Sequence, residues 1–267
     1  MDLMRARVTL RERNLLDVFD LAIRFCIVHA GAYAKISVFV LVPSFAVSLA
    51  AAQLGGWWMG WTVAVVVSAF ATTPYVALAS RLVFADAVGT REALGIALRA
   101  VPALLLIRFL QLLALAASMF LAFMPWLWLG TILLFVAEVV VLEQSSIGAT
   151  FGRAQRIASA HFGSVAGTML AMLIVPVAAA MIADMAGREV LQTVLEIRPP
   201  PSIFREGGSW LALAGFWIVV PIMTTARFFA YLDVRTRTEG WDIQTRFAAI
   251  AARASEDSEE GRARRAA

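Results

Sequence analysis

Six stretches of this chain, 35–54, 58–84, 101–123, 125–142, 163–186 and 210–232, are apolar over the length of a bilayer. About 20 mostly apolar residues, at 1.5 Å rise each, cover about 30 Å of hydrocarbon. Each stretch therefore predicts a transmembrane helix. The third and fourth are separated by Met124-Pro125, where proline suits the first turn of a new helix. Composition agrees with this class: 16% of the 267 residues are charged, against about 25% in an ordinary soluble domain.

The basic residues give the set an orientation. Of the 23 Lys and Arg, 18 flank the spans on the side that holds both termini, and Arg188, Arg198 and Arg205 lie in one loop on the other. The positive-inside rule puts both termini in the cytoplasm. Trp57, Trp58, Trp61, Trp126 and Trp128 gather toward the opposite face, as an aromatic belt does. Basic charge beside apolar spans points to anionic membrane lipids as partners and not to nucleic acid. Cys26 is the only cysteine, so no disulfide forms within the chain. The opening MDLMRARVTLRERN has no early apolar core and is not expected to be a signal peptide.

Between the spans lie amphipathic segments. Arg13, Asp17, Asp20 and Arg24 follow one another at intervals of 4, 3 and 4. That spacing draws one polar stripe on an otherwise apolar helix, suited to the plane of the interface. TREALGIALRA, GATFGRAQRIASAHF and the stretch from Trp241 to Arg253 read similarly. An internal repeat follows from their positions. Asp86, Glu143 and Asp233 are each followed eight residues later by a large apolar residue (Leu94, Phe151, Trp241) and thirteen later by an Arg (Arg99, Arg156, Arg246). The expected unit is an interfacial helix and a transmembrane hairpin, present three times, with a fourth interfacial helix closing the array.

The sixth span runs into YLDVRTRTEGWD. Asp233, Arg235 and Arg237 are placed at the headgroups, where the Arg fork can reach phosphates or acids. Glu239-Gly240 permits a turn, and Trp241 anchors the helix beyond it. The bland account is a flank that stops translocation; the sharper one is a docking surface for lipid or protein made of Tyr231, Asp233, Arg235, Arg237, Glu239, Trp241 and Asp242. The pattern Tyr231-x-Asp233-x-Arg235-x-Arg237-x-Glu239-Gly240-x-Asp242 resembles the C-terminal signature of a broad family of bacterial multi-pass membrane proteins. That family includes the membrane domain found fused to glycerophosphodiester phosphodiesterases. Glu143 followed by Arg153-Ala154 and Ile157 is similar to a second family stretch, with Ala154 where Ser is usual. The resemblance implies a bacterial inner-membrane protein. It does not imply phosphodiesterase activity, because the soluble catalytic domain has no counterpart here.

Charges inside spans carry a functional reading by default. Arg108 and Glu138 lie 16 and 14 residues from Met124, so their depths match within about 3 Å. They are expected to form an intramembrane ion pair. Arg81 and Arg227, near helix ends, are expected to snorkel to the headgroups. Pro43, Pro74, Pro176 and Pro221 fall within spans and could frame a transport cavity, although proline is common in membrane helices. Gly163 and Gly167 form a G-x-x-x-G, a spacing that lets helices approach closely. His29 and His161 are isolated, and neither a zinc spacing, a P-loop nor a nucleophile elbow is present. In the loop 188–209, Val190, Leu191, Val194 and Leu195 suggest a short helix before Pro199-Pro200-Pro201.

The reading is an all-α, polytopic inner-membrane protein of six spans, without enzyme chemistry or cofactor. Its segments are a cytoplasmic stretch 1–34 with an interfacial helix, a membrane domain 35–233, an interfacial helix 234–253 and a disordered tail 254–267. The expected role is to organise lipid or protein partners through the cytoplasmic interfacial helices. A small transporter or permease component is the alternative, its polar path drawn from Arg108, Gln111 and Glu138.

Overall fold

The computed structural model describes residues 14–84, 90–119, 123–143 and 147–239, and they are all-α. Trp241, Asp242 and the fourth interfacial helix lie outside the described residues. Helix α1 (Leu15–Val28) begins after Asn14, whose backbone N–H donates to Asp17 Oδ2 at 3.4 Å. The chain turns at His29 and continues as α2 (Ala30–Gly55). Gly56, at φ +83°, makes the tight return into α3 (Trp57–Ala71), a conformation that only glycine adopts without strain. A break at Thr72, just before Pro74, separates α3 from α4 (Thr73–Phe84).

Helix α5 (Thr90–Met119) has two arms, Arg91–Arg99 and Val101–Gln111, that meet at 55°. Pro102 sits at the bend, where its ring removes one helical hydrogen bond and pushes on the preceding turn. There follow α6 (Phe123–Ile132), α7 (Val136–Glu143) and α8 (Ile147–Ala160). The chain turns again at His161 into α9 (Phe162–Glu189), whose last turn widens to a π-helix over Val190–Val194. A short α10 (Ile203–Glu206) precedes α11 (Trp210–Glu239).

Among the described residues, four helical stretches are long and apolar enough to cross a membrane: Ala30–Gly55, Trp57–Val83, Phe162–Val194 and Trp210–Thr238. The bent α5 makes a fifth if its two arms count as one span. The region of the expected fourth span holds only a shorter apolar helix, Leu127–Leu142. The fold is thus a multi-spanning helical bundle with four such helices, or five.

Burial sorts the helices into two shells. Tyr75–Ala79 of α4, Phe135 and the start of α7, and Phe228–Val234 of α11 are buried together at the centre. Phe39 and Val42 of α2, Phe109 and Leu113 of α5, and Ile174 and Ile182 of α9 are exposed around it. In lipid, apolar surface alone does not draw helices together, so small residues and interhelical hydrogen bonds matter more. The most extensive pairing is α9 with α11. There Gly215 lies against Ala179 and Ala183 so closely that a Cβ would collide with both. Gly60 meets Ala52 and the Ser48 carbonyl in the same way between α3 and α2. The G-x-x-x-G of α9 has no such part: Gly163 faces open space and Gly167 meets only Leu15.

Helix α11 runs unbroken past the expected end of the sixth span to Glu239. One sequence expectation is revised. The segment around Val190–Val194 is not a separate amphipathic helix but the widened end of α9.

Candidate functional site

The breaks in the central helices create the site. Between α6 and α7 the helical hydrogen bonding is interrupted, and the Leu133 carbonyl is met by Gln111 Nε2 at 3.2 Å. Gln111 in turn accepts from Arg108 Nη1 at 2.7 Å. This local chain draws Arg108 toward its own helix. One turn into α7, Glu138 is fully buried, and Arg227 Nε of α11 donates to its Oε1 at 2.6 Å. The expected ion pair between Arg108 and Glu138 is therefore corrected: among the described residues it is Arg227 that pairs with Glu138. Arg227 does not snorkel, since its side chain is only 11% exposed and turned inward. Arg81 does stay half-exposed, 3.7 Å from Glu92.

The cluster holds two guanidinium groups and one carboxylate. Arg108 Nε and Nη2, Arg227 Nη2 and Glu138 Oε2 are buried without a hydrogen-bond partner among the described residues. Such groups are costly in an apolar interior. Both arginines line one cleft of about 340 Å³, whose other walls come from α3, α9 and α11 and include Val65, Pro176 and Phe216. Among the described residues no group of three or more His, Cys, Asp or Glu is placed to hold a metal ion.

The C-terminal signature is packed into the protein. Tyr231 is fully buried, with its ring edge-on to Phe135 at 5.7 Å. Arg235 folds back over that ring and donates to the Tyr231 hydroxyl at 3.2 Å. Asp233, 8% exposed, pairs with Arg237 at 2.9 Å. Among the described residues of the expected docking surface, Tyr231 and Asp233 are interior and Arg235 and Arg237 are partly exposed. Glu239 ends α11.

A second polar site was not anticipated. Asp184 is 1% exposed at the other end of α9. It accepts from the Ile203 N–H at 3.1 Å and from the Ser209 hydroxyl, and Ser209 Oγ accepts from the Ala212 N–H at 3.0 Å. One carboxylate thus caps α10 and, through Ser209, α11. Arg188, one turn further along, donates to the Pro200 carbonyl. Trp61 Nε1 donates to the Gly207 carbonyl at 2.9 Å. The tryptophans divide: Trp57 packs on Gly208 and Trp61 holds the loop, while Trp58 is 72% exposed, as a belt residue is. The sequence signal for Asp184 was Ser209 standing just before a long helix.

Fold and site together define a class, an all-α multi-spanning membrane protein with a buried charged cluster at the centre of its bundle. No family model matches the chain, and neither does a curated protein or a solved structure.

Proposed function

We propose that this chain is a non-enzymatic protein of the bacterial inner membrane, with six passes and both termini in the cytoplasm, that organises lipid and protein partners through its interfacial helices. The observation that carries this reading is a recurring joint. Helix α1, the first arm of α5 and α8 each run into a long apolar helix across a turn, at His29, at the 55° bend and at His161. Apolar residues remain exposed on the first two of these arms, Leu16 at 80%, Ile27 at 68% and Leu98 at 69%. A helix lying in the headgroup plane buries such residues in lipid.

The threefold unit is supported by the same joints, and by α4, α7 and α11, which belong to the second, fourth and sixth expected spans and pack into one core. The short helix Leu127–Leu142 is read as the fourth of the six spans, thinning the bilayer or tilting its neighbours. The likeness of the Tyr231–Asp242 signature to bacterial multi-pass families supports the inner-membrane location. A small transporter or permease component is the second reading, favoured by the cleft beside Arg108 and Arg227.

The test is gentle purification followed by intact-complex mass spectrometry. Wild type is compared with Leu16→Ser/Ile27→Ser, which polarises the exposed side of α1, and with Arg235→Ala/Arg237→Ala. Loss of a co-purifying lipid or protein from the α1 variant supports the reading. Partners kept by both variants refute it, and a co-purified solute moves transport to first place.

A further inference from the structure

The cleft between α3, α5, α9 and α11 has two unlike ends. At one, Arg108 and Arg227 enter from α5 and α11. Away from them the walls are Val65, Val177 and Phe216, with no charged side chain. Val65 and Val177 are themselves more than half exposed, so the cleft opens sideways on the apolar flank of the bundle. Its volume, about 340 Å³, falls at the small end of the roughly 300–1,000 Å³ found for small-molecule sites.

Arg108 is more than nine-tenths buried, and its Nε and Nη2 have no partner. Glu138 balances one of the two guanidinium charges through Arg227. The other positive charge is left facing the cleft.

We infer that this cleft binds one anionic phospholipid, its phosphate on Arg108 and Arg227 and the upper part of one acyl chain along the apolar walls. A phosphodiester carries the single negative charge that the cluster needs, and its oxygens suit the guanidinium fork. The sideways opening decides for a lipid over a dissolved anion, because it leads to hydrocarbon. This site does not depend on the interfacial helices and stands or falls apart from them.

The experiment uses the full chain, delipidated in mild detergent. Phosphatidylglycerol, phosphatidylcholine and inorganic phosphate are added separately, with lipid retention read by native mass spectrometry and protection by thermal shift. Wild type is expected to keep one phosphatidylglycerol per chain, with about tenfold or greater preference over phosphatidylcholine, whose quaternary ammonium brings a further positive charge beside the two guanidinium groups. Arg108→Met is expected to lose that preference while still folding, since the Arg227–Glu138 pair stays balanced. Ser68→Phe fills the cleft without touching the charges and is expected to remove the bound lipid. Equal retention of the two lipids by wild type overturns the proposal without any variant. So does phosphatidylglycerol bound as well by Ser68→Phe, or protection by inorganic phosphate equal to that by lipid.

Discussion

Glu138 shows what a single residue does in this bundle. Among the described residues its carboxylate is the one negative group in the cluster with Arg108 and Arg227, and one of its oxygens is bonded to Arg227. Removing one partner of a buried pair costs about 3–5 kcal/mol because the other charge is left uncompensated. Glu138→Gln is therefore expected to lower stability by that order, read as the loss of folded protein in a thermal or denaturant series in detergent. Adding Arg108→Met to it removes a second unbalanced charge and is expected to restore part of the loss, and simple additivity of the two changes would refute the coupling. Cys26 offers an independent check outside the spans. Burial pushes its thiol above the usual value, only partly offset by its side-chain hydrogen bonding with Thr225 and Tyr33. A raised value means less thiolate at any pH below it, and the thiolate is what reacts. Maleimide labelling at pH 8 is expected to be slower than for a free thiol and to speed up on denaturation.

Elements were more legible in the sequence than their pairings. Hydropathy sums over twenty residues, so the long helices stood out. The amphipathic stripe of Asp17, Asp20 and Arg24 marked α1, and the change of character near position 100 coincides with the bend of α5. The partner of Glu138 was not legible. Equal depth pointed to Arg108, but depth says nothing of rotation about a helix axis. Gln111, three residues on, draws Arg108 away, while α11 turns Arg227 inward. The G-x-x-x-G misled for a related reason: spacing marks a flat face without saying what packs on it. The contact that matters is Gly215 against Ala179 and Ala183. Gly215→Val is expected to separate α9 from α11 and cut the yield of folded protein, while Gly163→Val, facing open space, leaves it unchanged. Asp184→Ala is expected to free the 196–209 loop, seen as faster proteolysis there with the bundle still folded.

At the scale of the whole molecule, topology is the property most open to test. Reporter fusions after residue 14 and after residue 239 are expected to report the same side of the membrane, and the 196–209 loop the other. Opposite sides for the two ends would require an odd number of passes and remove the six-span reading. Apolar length alone could not decide this, since Leu127–Leu142 falls short of the usual span and α5 qualifies only as a bent pair. The central shell of α4, α7 and α11 was hidden in the sequence as well, because lipid and protein interior select the same apolar residues.

The first and last described helices, α1 and α11, touch. Phe25 meets Phe229 edge to face at 5.2 Å, and just beyond the turn the Tyr33 hydroxyl of α2 shares a 2.7 Å hydrogen bond with Thr225. A ribosome delivers these partners far apart in time. During synthesis α1 waits at the membrane with Val18, Ala22 and Phe25 uncovered until α11 has been inserted. The bundle then closes with α1 covered by α11, and a chain cut short before residue 210 leaves quality-control proteases an open seam to recognise.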